Sequence, residues 1–378
     1  MPTQNAPPRQ RLLSLDVLRG LTVALMILVN NAGDGSVSYS QLRHSVWNGC
    51  TLTDLVFPTF LFMVGASIAL AFRARRAGGA PRGALVGKVL RRSTLIFLLG
   101  LLLNALPSFS LATLRYFGVL QRIALCYALA AIVYLFGGLS LTVAVTILAL
   151  AGYAWLLLQF VVPGFGIPGV DVALLDPHGN LAAWLDRTLV PAAHLYHHSF
   201  YDPEGLLSTL PALGTTLIGV LAGSWLQSAQ TPARKSLLLA VSGALLAAAG
   251  LGWSHSLPFN KRLWTSSYVL WAAGIALLIL AVLYWLIDGP RKLRRGLSPW
   301  LAFGTNALSA YLFSEVLAVA LAVIPVAGAG NLQRLLFGLL PHWLGPPPFV
   351  SMLYSVLFVG ICFLPAWLLY RRHIVIKL

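Results

Sequence analysis

Of the 378 residues, 58% are hydrophobic and 10% charged, against roughly 25% charged in a soluble domain, which excludes a water-soluble globular enzyme. A mean hydropathy of +0.81 also excludes one anchor on a soluble body, whose polar surface would pull the average towards zero; the chain reads as polytopic. The net charge of +16 would point to nucleic acid on a soluble domain, but here the cations mark cytoplasmic loops, and no nucleic-acid partner is expected. Cys50, Cys126 and Cys362 imply no disulfide framework.

Crossing a hydrocarbon core takes roughly 20 mostly apolar residues, and about ten such runs occur. In chain order they are 12–32, 52–72, 89–107, 118–136, 140–162, 207–227, 236–254, 264–287, 299–325 and 349–370. The expected fold is an all-α polytopic membrane helix bundle, one transmembrane domain over 12–370 with tails at 1–11 and 371–378. The first run is not a cleavable signal, since it lacks an Ala-x-Ala-like exit and carries Asp16 and Arg19 in its first turns. Segment 331–345, interrupted by Pro341, is too short to span and reads as an interfacial or re-entrant piece. No internal repeat points to an inverted-repeat transporter.

Placing the N-terminus in the cytoplasm puts nineteen Lys and Arg residues on that side, with clusters at 73–92, 291–295 and 371–377. The outer side keeps seven: Arg43, Arg115, Arg122, Arg187, Lys261, Arg262 and Arg334. The bias predicts that both termini are cytoplasmic. The acidic residues Asp171, Asp176, Asp186, Asp202 and Glu204 gather in 163–206, a long outer loop expected to form a small cap and to carry ligand contacts.

Ionisable groups at membrane depth are costly and therefore functional candidates. Asp16 and Arg19, three apart on one helix face, either pair with each other or leave Arg19 to hold a phosphate from the cytosol. Asp54 opens the second run after Thr51 and Thr53, where capping alone is an adequate reading. Glu315, mid-span, needs a partner from another helix. His44 lies in the first outer loop beside Arg43, Trp47 and Asn48, with Asn30 and Asn31 closing the first run. Its imidazole suits a general base or acyl-accepting nucleophile, with plain solvation as the alternative.

The outer loop also holds His194, Tyr196, His197, His198, Tyr201, Asp202 and Glu204. No ligand spacing supports a metal site; carboxylates beside aromatics suit an amino sugar or polyol, and an ordered cap is the bland reading. Phosphate-loop, nucleophile-elbow and metalloprotease motifs are absent. The basic loop from Arg73 to Arg92 would attract anionic membrane lipid, and equally a phosphorylated cytosolic cofactor.

Taken together, three segments closely resemble the heparan-α-glucosaminide N-acetyltransferase family. They are Arg-Leu-Leu-Ser-Leu-Asp-Val-Leu-Arg-Gly (11–20), Leu-Arg-His-Ser-Val-Trp-Asn-Gly (42–49) and Thr-Asp-Leu-Val-Phe-Pro-Thr-Phe-Leu-Phe (53–62). Gly-Val-Leu-Gln-Arg (118–122), Tyr-Asp-Pro-Glu-Gly (201–205) and Pro-Phe-Asn-Lys-Arg-Leu-Trp-Thr-Ser-Ser-Tyr (258–268) agree in the same order. The resemblance implies transmembrane acetylation, with cytosolic acetyl-CoA as co-substrate and the amine of a glucosamine-type sugar as acceptor on the other side. The family's histidine falls on His44 and its nearby asparagine on Asn30, through either an acetyl-histidine or direct attack. Eukaryotic members carry an added lumenal segment, so the resemblance implies a bacterial inner-membrane relative whose acceptor is not heparan sulfate. The family's His before the glutamate matching Glu315 is Ser314 here.

These readings make His44, Asn30 and Asp54 the expected catalytic residues, with Asp54 orienting the imidazole and Asn30 holding the reacting carbonyl. Arg19, Arg91 and Arg92 are expected to hold acetyl-CoA, and Asp202, Glu204, Asn260 and Lys261 to shape the acceptor pocket. A homodimer is left open. The rivals are a transporter of amino sugars or peptidoglycan fragments and an O-acetyltransferase of a periplasmic glycan.

Overall fold

The computed structural model describes residues 12–328 and 330–376. The tail at 1–11, with Arg9 and Arg11, and the last two residues, with Lys377, lie outside the described residues. The helices are α1 (Leu13–Asn30), α2 (Leu52–Ala77), α3 (Arg82–Ala105), α4 (Val119–Gln159), α5 (Leu181–Leu189) and α6 (Thr209–Leu226). They continue with α7 (Pro232–Trp253), α8 (Ser266–Ile287), α9 (Ser298–Thr305), α10 (Ala307–Val323), α11 (Leu332–Gly338) and α12 (Pro347–Arg371). A two-residue ribbon, β1 (Pro325–Val326) with β2 (Gly330–Asn331), precedes α11.

All ten apolar runs fall in helices, yet the helices do not divide as the runs do. The runs 118–136 and 140–162 fuse into α4, whose 41 residues would rise about 60 Å if straight, twice the hydrocarbon thickness. Gly138 interrupts it with φ 60° and ψ −148°, a conformation open to a residue without Cβ. The run 299–325 is not one straight span either: α9 and α10 meet at Asn306 with an 82° bend. Among the described residues seven helices are long and apolar enough to cross a membrane, or eight with the bent pair counted as one. α3 is not among them, because Arg82, Lys88, Arg91 and Arg92 occupy its first half. With seven residues, α11 is far too short to cross.

Small residues let the helices approach backbone to backbone, the usual basis of packing where lipid removes the hydrophobic drive. A Cβ on Gly65 of α2 would lie 1.8 Å from the Thr216 carbonyl oxygen, and one on Gly219 of α6 would lie 1.9 Å from that of Phe62. The same logic joins α1 to α9, where a Cβ on Gly20 would meet the Trp300 oxygen and one on Gly304 the Asp16 oxygen. These two contacts fix α2 against α6 and α1 against the helix break, and so frame what lies between α1, α2 and Asn306.

Candidate active site

At one end of the bundle the chain leaves α1, makes a short loop and enters α2. Asp54 is the third residue of α2, and its buried carboxylate reaches back to Thr51 N at 3.0 Å, half of a capping box. The same oxygen, Oδ2, accepts from Ser45 N at 3.1 Å and Thr51 Oγ1 at 3.0 Å. That leaves Oδ1 for His44 Nδ1 at 2.7 Å. A carboxylate only accepts, so Nδ1 carries a proton, and in the neutral imidazole Nε2 presents its lone pair. The imidazole side chain is 41% exposed while Asp54 is fully buried. Capping and orientation of His44 are thus two jobs of one carboxylate.

Nε2 faces Lys261, whose Nζ lies 3.5 Å away. Lys261 sits on the turn between α7 and α8, and that turn is tightly held. Asn260 Oδ1 accepts from Leu263 N at 2.9 Å, Asn260 N donates to Thr265 Oγ1 at 3.0 Å, and Thr265 Oγ1 donates to the Pro258 oxygen at 2.9 Å. Trp264 takes a φ of 56°, which costs roughly 1–3 kcal/mol in a bulky residue and persists only where its surroundings hold it. It is fully buried, edge-on to Phe57 and Tyr268, with its indole N–H on Thr215. Asn260 also ties the turn to the His44 loop: its amide donates to Asn48 Oδ1 at 3.1 Å, and Gly49 N donates to the Phe259 oxygen at 2.7 Å.

The loop after α4, joined by Arg115 just before that helix, supplies the next wall. Arg115 clasps Asp202 with Nε at 2.8 Å and Nη2 at 2.5 Å, and Nη2 also reaches Glu204 at 2.7 Å. Both carboxylates are buried. Burial opposes the charge on Glu204, but Arg115, Lys261 and Arg122 together hold its carboxyl below the usual range. Arg122, fully buried over the Trp264 ring, donates to the Pro203 and Gly205 oxygens and to Ser208. Tyr201 accepts from Arg262 and packs edge-on to Trp47, whose indole N–H holds the Leu175 oxygen at 2.7 Å. The loop 163–206 is thereby tied to the His44 loop. His194 stacks on Tyr116. Burial pushes the Cys50 thiol up to about 12, so it offers no competing nucleophile near His44.

Asp186 underpins this wall by accepting from Asp202 N and Leu206 N, both at 3.1 Å. Burial outweighs those bonds and pushes its carboxyl up to about 6 from an ordinary 3.8. The folded state therefore binds a proton that the unfolded chain releases, and this stabilisation is complete below about 3.8 and lost as pH rises through about 6. Asp186→Asn is expected to melt below the parent by a fixed offset at low pH, from its lost acceptor. Between pH 4 and pH 7 that offset should shrink, which melting curves of the two proteins at matched pH values would show.

The expected catalytic asparagine closes α1. Asn30, the last residue of α1, is within hydrogen-bond reach of Glu315, which Tyr311 also contacts. Glu315 and Tyr311 line a cavity of about 60 Å³ with Asn104 and Gln121. Among the described residues Gln121 Nε2 has no protein partner.

At the far end of α2 a larger cavity, about 340 Å³, runs along one helix face. Phe60, Met63, Val64, Ser67, Ile68, Ala71, Phe72 and Arg75 line it, at the 3–4 spacing of a single stripe. At 1.5 Å per residue the stripe is about 22 Å long, and it stops about 9 Å along the helix from Asp54. Arg19, Arg75 and Arg92 contribute positive charge, with Arg92 over the Tyr127 ring at 5.0 Å. Arg19 pairs with Asp16 at 2.9 Å and also donates to the Gly304 oxygen and to Ser67. Arg91 is exposed and not part of the lining, since one residue along a helix turns the side chain by about 100°. Arg75, which the sequence reading does not single out, falls on the same stripe at steps of three and four from Phe60 along α2. Asn306 closes the slot at the helix break by pinning the last described stretch, donating to the Ile374 oxygen and accepting from Ile376 N, both at 2.9 Å.

Comparison with known proteins bears on this arrangement. A family model described as heparan-alpha-glucosaminide N-acetyltransferase, catalytic, matches residues 11–260, two thirds of the chain. The chain belongs to the heparan-α-glucosaminide N-acetyltransferase family. The human heparan-alpha-glucosaminide N-acetyltransferase is 32% identical over 367 residues, covering 82% of this chain and 53% of the relative. The mouse protein of that name is 30% identical over 362 residues, with 81% and 54% covered. The chain thus spans about half the length of the curated relatives it matches. The stretch matched to the acetyltransferase family contains His44, Asp54, Asp202, Glu204 and Asn260, and Lys261 follows it immediately.

Proposed function

We propose that the protein is a transmembrane N-acetyltransferase that moves an acetyl group from cytosolic acetyl-CoA to the amine of a glucosamine-type sugar on the opposite face. The observation that carries this reading is the slot along α2: one helix presents cations at one end, an apolar stripe in the middle and the His44–Asp54 pair at the other. CoA is a bulky polyanion on a slender arm. Arg19, Arg75 and Arg92 suit its phosphates, and the stripe from Phe72 to Phe60 suits the arm. The nineteen-to-seven bias of Lys and Arg supports placing the Arg19 end in the cytoplasm. In a bacterial inner membrane the His44 end would then face the periplasm.

In the transfer the acceptor, which arrives as an ammonium, loses a proton, its nitrogen bonds to the acetyl carbon, the carbon–sulfur bond breaks and CoA leaves as its thiol, with one proton released overall. Whether His44 removes that proton or carries the acetyl group in passing, the atom that acts is Nε2, because Asp54 occupies Nδ1. Asn260 holds the turn that faces His44, while Asp202 and Glu204, through Arg115, shape the acceptor side. Asn30 acts through Glu315 and Tyr311 at the mouth of α1.

The test is transfer of labelled acetyl from acetyl-CoA to glucosamine by the purified protein, with mass analysis of the product. An amide is expected; an ester would favour the O-acetyltransferase. Uptake of labelled sugar into proteoliposomes without acetyl-CoA, unaffected by His44→Ala, would replace this reading with a transporter. The cofactor assignment has its own signature. Arg75→Ala with Arg92→Ala is expected to raise the KM for acetyl-CoA about tenfold or more with little change in kcat, since each lost charge-assisted bond is worth roughly 1.5–3 kcal/mol. Added salt should raise the parent's KM in the same direction.

A further inference from the structure

The group that faces Nε2 of His44 is itself a primary amine. Lys261 Nζ stands 3.5 Å from Nε2, where an acceptor amine must arrive if His44 is to serve it. The turn that carries Lys261 is cross-braced by Asn260, Thr265 and the buried Trp264, so the backbone from which the amine reaches Nε2 is fixed. Resting on the acetyl-transfer reading above, we infer that Lys261 is a self-acetylation site: without sugar, its ε-amine takes the acetyl group that His44 would direct to the acceptor.

The chemistry is complete with groups already named. Neutral Nζ attacks the carbonyl carbon of the acetyl thioester, forming the C–N bond as the C–S bond breaks. The thiolate departs, and the proton shed by nitrogen passes through Nε2 to the sulfur, so that CoA leaves as its thiol with no net release of a proton. The attacking amine must be uncharged, and burial lowers the Lys261 pKa, aided by Arg262 and Arg122 and opposed by Glu204 and Asp54. The consequence is self-inhibition: acetyl-Lys261 loses its cation and places an amide against the nitrogen that the reaction needs.

The molecule contains its own controls. Lys88 in α3, Lys235 in α7 and Lys292 after α8 lie at the other end of the bundle, the end of Arg75. Random acetylation by the thioester would mark the exposed Lys88 and Lys292 as well as Lys261, and would not depend on His44. The experiment incubates the full chain in detergent with acetyl-CoA and no acceptor, then maps acetyl-lysine by peptide mass spectrometry. The expected result is a 42-dalton addition on Lys261 approaching one per chain, Lys88, Lys235 and Lys292 unmarked, and protection of Lys261 by added glucosamine, a comparison that needs no variant. His44→Gln should leave Lys261 unmarked. Acetylation spread alike over Lys88, Lys235, Lys261 and Lys292, or persisting in His44→Gln, overturns the inference, as does a protein that transfers to glucosamine yet leaves Lys261 unmarked when no acceptor is present. Absence of both transfer and modification instead overturns the proposed function, and the inference with it.

Discussion

His44→Ala is expected to lower the rate of acetyl transfer by about 10²–10⁴, the usual contribution of a positioned general base, with acetyl-CoA binding retained. The retention follows from distance: the cationic end of the slot, at Arg75, lies about 31 Å along α2 from Asp54. Asp54→Asn should be nearly as damaging and more informative. An Asn amide offers one oxygen where Asp54 offers two, and both are in use: one for His44 Nδ1, the other for Ser45 N, Thr51 N and Thr51 Oγ1. If the oxygen stays with the three donors of the cap, the amide nitrogen faces Nδ1, and the imidazole must carry its proton on Nε2, where it can neither accept a proton nor attack. In the serine-protease triad the same exchange costs about 10⁴ in kcat. Single-turnover kinetics with saturating acetyl-CoA would separate the outcomes. A slow chemical step with unaltered binding supports the assignment, and a rate within a factor of a few of the parent removes Asp54 from the mechanism.

How much of this was open to reading in advance varies with the range of the interaction. Each apolar run became helical because about twenty non-polar residues in a membrane have to satisfy their backbone internally. The break at Asn306 was hidden, since Phe-Gly-Thr-Asn contains no proline and no charge. What bends the chain there is contact with α1, where Gly304 backs onto the Asp16 carbonyl and Arg19 caps the freed Gly304 oxygen. Likewise His44 and Asp54 are ten residues apart, and a loop His before an acidic first turn is a local pattern. The approach of Lys261, 217 residues further along the chain, depends on α7 and α8 packing first. Arg115 is the clearest case of a residue that composition could not single out. It is one of seven outer cations, and its selection of Asp202 and Glu204 from six outer acids is purely tertiary.

That selection also identifies the most destabilising change expected outside the catalytic pair. Arg115→Ala leaves Asp202 and Glu204 buried, close together and without the guanidinium that neutralises both. Removing one partner of a buried ion pair costs roughly 3–5 kcal/mol, mostly because the remaining charge cannot regain water. Here two charges are stranded, so one of the carboxyls must take up a proton, and the variant should gain more stability from acid than the parent gains through Asp186. The damage should also spread. Asp202 Oδ2 anchors Tyr196 N, Asp202 N rests on Asp186, and the next residues hold the Arg122 guanidinium above Trp264. Arg115→Lys keeps a cation but not the fork that binds Nε to one oxygen and Nη2 to two others, and should recover only part of the loss. Thermal melting of the three proteins, followed by proteolysis within 163–206, would check this. The expected order is parent, Lys, Ala, with cleavage of the cap preceding global unfolding in the Ala variant. An Ala variant that melts with the parent would mean that the carboxylates, not the arginine, hold the loop.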